Sequence, residues 1–160
     1  MEEEELLETE KKVAARLLEL GATLSVAESC TGGMISHIVT SIPGSSAYYL
    51  GGVTSYAICI KEKVLGVASE IIEEYGVVST QVAEAMADGV RNLFGSTCSV
   101  ATTGLAGPGG DDRNPEGTVC IAVSGPKGLL SCHYVKDGTR ARNIASFTSE
   151  ALNLLLEYLA

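Results

Sequence analysis

The sequence predicts an α/β protein: a three-layer α/β/α sandwich on a mostly parallel mixed sheet of about five strands, one antiparallel. Two observations carry that expectation. Short β-type runs alternate with helical stretches in the order helix, then β-α-β-α-α-β-β-β-α. Three glycine-rich or polar segments, 28–33, 54–61 and 103–117, each follow a strand end, the place where open α/β sheets bind ligands. Their chemistry is expected to converge on one rim.

Residues 3–20 set Leu6, Leu7, Val13, Ala14, Leu17 and Leu18 at helical spacing among charges, with Gly21 as the stop. "TLSVAES" (23–29) is a short β run, and "TGGMISHIVTSI" (31–42) reads as a helix closed by Pro43-Gly44. "AYYLGGVTSY" (47–56) is β-rich and "IKEKVLGV" (60–67) a short helix. "STQVAEAMADGVRNLFG" (79–95) is a helix with Ser79 as N-cap and Gly95 as stop. "TCSVATTG" (97–104) is an apolar strand running into the loop "LAGPGGDDRNPEG". "TVCIAVSG" and "GLLSCHYV" flank "SGPKG" as a hairpin, and "ARNIASFTSEALNLLLEYLA" is a closing amphipathic helix. No repeat or linker interrupts the 160 residues, so 1–160 reads as one domain that includes an acidic N-terminal helix.

Twenty acidic against 11 basic residues give a net charge of −9, with acids crowding the first ten positions. Such a surface repels phosphate backbones, which argues against a nucleic-acid partner while leaving room for one Arg or Lys to hold a small phosphorylated ligand. The start lacks the basic and apolar regions of a signal peptide, and no apolar stretch is long enough for a membrane. A cytoplasmic protein without a membrane partner is expected. Five widely spaced cysteines and two distant histidines, His37 and His133, form no CxxC or ligand pair. Neither a disulfide framework nor a metal site is expected, and the thiols read as reduced core fillers.

"VAESCTGG" (26–33) is where the chain stops being generic. A strand that turns at once into a helix exposes its turn side chains above the sheet and offers free N–H groups to an oxyanion or phosphate. Ser29 and Cys30 are candidate nucleophiles, with Ser29 or Thr31 as a helix cap the plainer reading. A nucleophilic serine needs a base. His37 in a helix and His133 in a β run read as packing residues but leave a Ser-His-Asp triad open, and a desolvated lysine is the other candidate. "TSYAICIKEK" supplies Tyr56, Lys61 and Lys63. The long loop after 104 matches no Walker or GxGxxG pattern but suits a ligand cradle, with Asp111 and Asp112 as turn residues or metal ligands. Arg140 and Arg142 open the last helix, where a guanidinium can fork onto phosphate or carboxylate.

Five blocks in order, "VAESCTGG", "YYLGGVTSYAICIKEKVLGV", "GVVSTQVAEAMADGVR", "TTGLAGPGG" with "NPEGTV", and "GTR" with "AL", resemble the CinA C-terminal domain family over about residues 10–155. That family's enzymes are nicotinamide-nucleotide amidases. The resemblance implies hydrolysis of nicotinamide mononucleotide to nicotinate mononucleotide and ammonia in pyridine-nucleotide salvage, with no metal or cofactor. It places the nucleophile on Ser29 and its partners on Tyr56 and Lys61, the spacing to "VLGV" selecting Lys61 over Lys63. Tyr56 is expected to steer Lys61. The turn residues Cys30, Thr31, Gly32 and Gly33 would hold the oxyanion. Thr103, Gly104, Ala106, Gly107 and Arg140 would hold the mononucleotide.

Two positions depart from the family pattern. Ile58 stands where asparagine is common, and Thr139 replaces the acid of the usual GDR. They motivate an alternative, a non-catalytic nucleotide-binding module of the same fold. The N-terminal nucleotide-pyrophosphatase-type domain of larger family members has no counterpart among these motifs. The apolar face of the last helix suits an interface as well as a core, so a homo-oligomer stays open. Glu28 is expected to orient its neighbours.

Overall fold

The computed structural model describes residues 2–160. Its five strands are β1 (Leu24–Glu28), β2 (Tyr49–Thr54), β3 (Cys98–Gly104), β4 (Thr118–Gly125) and β5 (Gly128–Val135). They form one sheet in the spatial order β2-β1-β3-β4-β5. β1 pairs in parallel with both β2 and β3, while β4 runs antiparallel to β3 and β5. One strand of five is therefore reversed.

Helices cover both faces. On one side lie α1 (Glu2–Leu20), α2 (Met34–Thr40) and α6 (Arg140–Leu159); on the other lie α3 (Ile58–Lys63), α4 (Ser69–Tyr75) and α5 (Thr80–Phe94). β1 and β4 are buried along their whole length, as strands between two helical layers must be. The period of two sorts side chains by size. Leu24, Val26, Val100, Ile121 and Val123 face the α1/α2/α6 layer, whereas Ala27, Ala101, Cys120 and Ala122 face α5. That small-residue face lets α5 come close enough for sheet serines to bond its carbonyls, Ser99 to Ala87 at 2.5 Å and Ser25 to Val90 at 3.3 Å. Gly89 of α5 sits against the Leu65 carbonyl, where any Cβ would collide.

Two elements differ from the sequence reading. The helix expected from residue 31 begins at Met34, because Gly32 and Gly33 take positive φ angles of 61° and 101° and spend residues 29–33 on a turn. Neither Ser29 nor Thr31 caps it; the N-cap is Gly33, which has no side chain to offer. α4 was not expected at all. The expected cap on the next helix is present, with Ser79 Oγ accepting from Val82 N at 3.2 Å and Gly95 closing α5 in the left-handed region.

One packing feature is costly. Glu10, on the inner face of α1, is fully buried at 0% exposure, and neither of its carboxyl oxygens has a hydrogen-bond partner. The same holds for the buried hydroxyl of Tyr48. Burial pushes the Glu10 carboxyl up to about 8, and burial with the Glu10 charge also raises the Tyr48 phenol. Among the described residues no helix is long and apolar enough to cross a membrane.

Candidate active site

β1, β2, β3 and β5 all end at the same rim, and β4 begins there. The turn 29–33, the segment 55–61, the loop 105–117 and the turn into α6 are thereby gathered at one edge. Between them lies a cavity of about 310 Å³. Its walls include Ser29, Cys30, Tyr56, Lys61, Thr103 and Arg140, the backbone from Gly104 to Gly110, and Val77. A more open groove of about 600 Å³ runs along α3 and α5, but it contains no hydroxyl or thiol, and its one acid, Asp88, is bonded by Ser124.

Lys61 is the chemical centre. It is 1% exposed, whereas Lys63 two residues on is exposed. α3 carries it beneath the 55–57 turn, so Nζ reaches back to Ser55 O at 2.6 Å and Tyr56 O at 3.1 Å. The third neighbour is Ser29 Oγ at 2.9 Å. Burial pulls the ammonium down from 10.5 to about 8, against an opposing pull from the Cys30 thiol. Nζ donates to all three oxygens, and loss of one proton would leave a free amine in the same place. In that amine two N–H bonds can stay on the two carbonyls while the lone pair turns to the Ser29 hydroxyl.

Cys30 is adjacent in sequence and different in chemistry. Its buried thiol is pushed up to about 12, chiefly by burial, so thiolate is scarce near neutrality. The thiol packs against Gly104, where a Cβ would lie 2.7 Å from Thr118 O and 3.0 Å from Cys30 Sγ. What residue 30 offers the cavity is its backbone. Gly32 N already donates to Ser29 O and Met34 N to Thr31 O, while the N–H groups of Cys30 and Thr31 make no hydrogen bond among the described residues. An unbonded N–H beside a nucleophile is the kind of donor that an oxyanion needs.

The other expected residues divide. Thr31 is buried with its hydroxyl bonded to Glu28 Oε1 at 2.7 Å and Thr102 Oγ1 at 2.9 Å, so its side chain does not line the cavity. Gly32 and Gly33 shape the turn without lining the cavity either. Thr103 lines it with its proton committed to Val77 O at 2.9 Å. Ala106 and Gly107 belong to the wall, Ala106 O accepting from Asn143 Nδ2 at 3.0 Å and Gly107 O from Arg140 Nη1 at 2.6 Å. The expected phenol–lysine relay is not formed. Tyr56 is 62% exposed, its hydroxyl accepts from Arg140 Nη2 at 3.1 Å, and it meets Lys61 only through its carbonyl. Asp111 is occupied as a turn residue, accepting from the N–H groups of Arg113 and Asn114.

Two supporting residues carried no sequence signal. Ser55 is fully buried between strands, and Asn143 ties the turn before α6 to the cavity wall through Gly138 and Ala106.

The sequence profile of the CinA C-terminal domain matches residues 6–159. The chain belongs to that family. A CinA-like protein of Desulfosudis oleivorans is 47% identical over 151 residues, covering 93% of this chain and 37% of that protein. A CinA-like protein of Anaeromyxobacter sp. strain K is 45% identical over 146 residues, covering 89% and 35%. The chain thus spans little more than a third of these relatives' length. Among solved structures, the competence or damage-inducible protein from Enterobacter asburiae superposes with a TM-score of 0.94 at 32% identity, covering 97% of this chain and 98% of that one. The competence/damage inducible protein from Agrobacterium tumefaciens gives 0.91 at 34% identity, covering 96% and 94%. Both solved CinA-type chains match nearly end to end, so the five-stranded sandwich described above is the family's fold.

Neither departure from the family pattern touches the Ser29–Lys61 pair. Ile58 is exposed at the start of α3 and does not line the cavity. Thr139 caps α6, its hydroxyl accepting from Arg142 N at 3.3 Å, a role the missing acid would also fill.

Proposed function

We propose that this CinA-type domain is a serine–lysine amidohydrolase that converts nicotinamide mononucleotide to nicotinate mononucleotide and ammonia in pyridine-nucleotide salvage. The observation that carries the reading is the buried Lys61 amine, 2.9 Å from Ser29 Oγ, with both residues on the wall of one cavity. The substrate comes from the motif resemblance.

Lys61 as free amine removes the Ser29 proton, and Oγ attacks the carboxamide carbon. The carbonyl oxygen becomes an oxyanion facing the Cys30 and Thr31 N–H groups. The Lys61 ammonium returns the proton to the departing nitrogen, the C–N bond breaks, and ammonia leaves an acyl-serine. A water then gives its proton to Lys61 and attacks the ester. Collapse returns that proton to Ser29 and frees the carboxylate. Arg140, which lines the cavity and donates to the Gly107 carbonyl and the Tyr56 hydroxyl, would supply the cation for the ligand's phosphate.

Ammonia release from nicotinamide mononucleotide tests this. Wild type and Cys30→Ala are expected to release it, with Ser29→Ala at least ~10³-fold slower. Binding of the mononucleotide by wild type without ammonia release would support the non-catalytic module instead. A dead Cys30→Ala beside an active Ser29→Ala would transfer the nucleophile to the thiol.

A further inference from the structure

We infer that Glu28 is the positioning residue that holds both halves of the serine–lysine pair, its side chain fixing the nucleophile turn and its main chain fixing the lysine clamp. The inference rests on the hydrolase reading of the same site.

Glu28 is the last residue of β1, 1% exposed, and lies next to Ser29 in the chain without lining the cavity. Its carboxylate accepts three hydrogen bonds and gives none. Oε1 takes Thr31 Oγ1 at 2.7 Å and Ile35 N at 2.9 Å; Oε2 takes Ser36 N at 3.1 Å. Those N–H groups belong to the first turn of α2, whose N-cap is a glycine with no side chain to satisfy them. The cap therefore comes from the preceding strand. It closes a ring running from residue 28 through Ser29, Cys30, Thr31 and the two glycines to Ile35. Inside that ring the directions of the Cys30 and Thr31 N–H groups are set.

The main chain does the matching work on the other side. Glu28 O accepts Ser55 N at 2.7 Å and Ser55 Oγ at 3.1 Å, and Ser55 O accepts Lys61 Nζ at 2.6 Å. One residue thus ties the nucleophile, the oxyanion donors and the base into a single hydrogen-bonded frame. A carboxylate is needed because it accepts at both oxygens. Glutamine keeps the shape but turns an N–H donor toward one of the donors it must satisfy.

The test uses two substitutions and two readouts. The first readout is steady-state release of ammonia from nicotinamide mononucleotide, with product affinity measured separately. The second is the rate at which an alkyl fluorophosphonate labels Ser29, in which Oγ attacks phosphorus, fluoride leaves and Lys61 takes the proton. Glu28→Gln is expected to lower kcat and the labelling rate together by ~10²-fold, with affinity for nicotinate mononucleotide within threefold of wild type. Thr31→Val, which removes one of the three donors at constant shape, is expected to lower both rates about tenfold, and Thr31→Ser to restore them.

If Glu28→Gln fails to fold, the threonine pair decides alone. Rates within twofold of wild type in Glu28→Gln, or in Thr31→Val, overturn the inference. So does a loss in which product affinity falls as far as the rates. If wild type is labelled at Ser29 but releases no ammonia, the substrate assignment fails while the labelling rates still judge Glu28. A wild type that neither turns over nor labels overturns both.

Discussion

At the scale of single residues, the site turns on how burial treats neighbouring groups. Ser29 and Cys30 share a turn, yet burial keeps the thiol protonated and frees a larger fraction of Lys61 from its proton near neutrality. In the proposed reaction the free amine is the working form, and its conjugate acid titrates at about 8, depressed by burial. Turnover should therefore fall about tenfold for each pH unit below 8 and level off above it, which a pH profile of kcat/KM measures. The placement of Tyr56 gives a second expectation. Its phenol bonds Arg140 and only its carbonyl bonds Lys61, so Tyr56→Phe should leave that pH profile in place and raise KM more than it lowers kcat. Ser29 and Lys61 were legible in the sequence because motif blocks mark residue types whose chemistry is distinctive. The partners of Glu28 and Asn143 were not. Those side chains bond backbone groups of Ile35, Ser36 and Ala106, and a backbone group leaves no trace in the residue name.

At the scale of elements, the long helices were readable and the short one was not. α1, α5 and α6 have enough turns to show a period, and α5 adds a serine cap and a glycine stop. α4 spans seven residues, has Ala68 at its N-cap and half-buries only the adjacent pair Ile71 and Ile72, so neither period nor cap betrays it. Its place is held by later residues, Arg113 donating to Glu73 O at 3.0 Å and Asn114 to Val78 O at 3.0 Å. The close approach of α5 to the 64–66 turn gives an expectation at this scale. Gly89→Ala puts a methyl into the Leu65 carbonyl and should cost about 3 kcal/mol, visible as a lower denaturation midpoint at unchanged m-value. Because Leu65 lies four residues beyond Lys61, the same substitution should also slow turnover.

At the scale of the whole molecule, the sandwich with one reversed strand follows from alternating helical and β segments ended by a tight hairpin. The order of strands did not follow, since β3 in the centre, between β1 and β4, and β2 at the edge depend on pairings between distant segments. A cost spread over the whole fold was also invisible: Glu10 follows the polar–apolar rhythm of an acidic helix but sits on its inner face. The carboxyl titrates at about 8 when folded against 4.5 in the open chain. Below 4.5 both states hold the proton and pH has no effect. From there up to about 8 the folded state alone retains it, so stability falls with rising pH and then levels, by an upper limit of roughly 5 kcal/mol. Glu10→Met should accordingly gain about 2 kcal/mol or more at pH 8 and much less at pH 5, read from chemical denaturation at each pH.

That buried carboxyl also makes the folding reaction of this protein a chemical exchange with its buffer. Near neutrality the chain must take up a proton to place α1 on the sheet and must release it on melting. The heat absorbed on melting therefore includes the heat of protonating whatever buffer is present. A calorimeter should find a larger difference between Tris and phosphate for wild type than for Glu10→Met, and the excess divided by the difference in buffer ionisation heats counts the proton carried by α1.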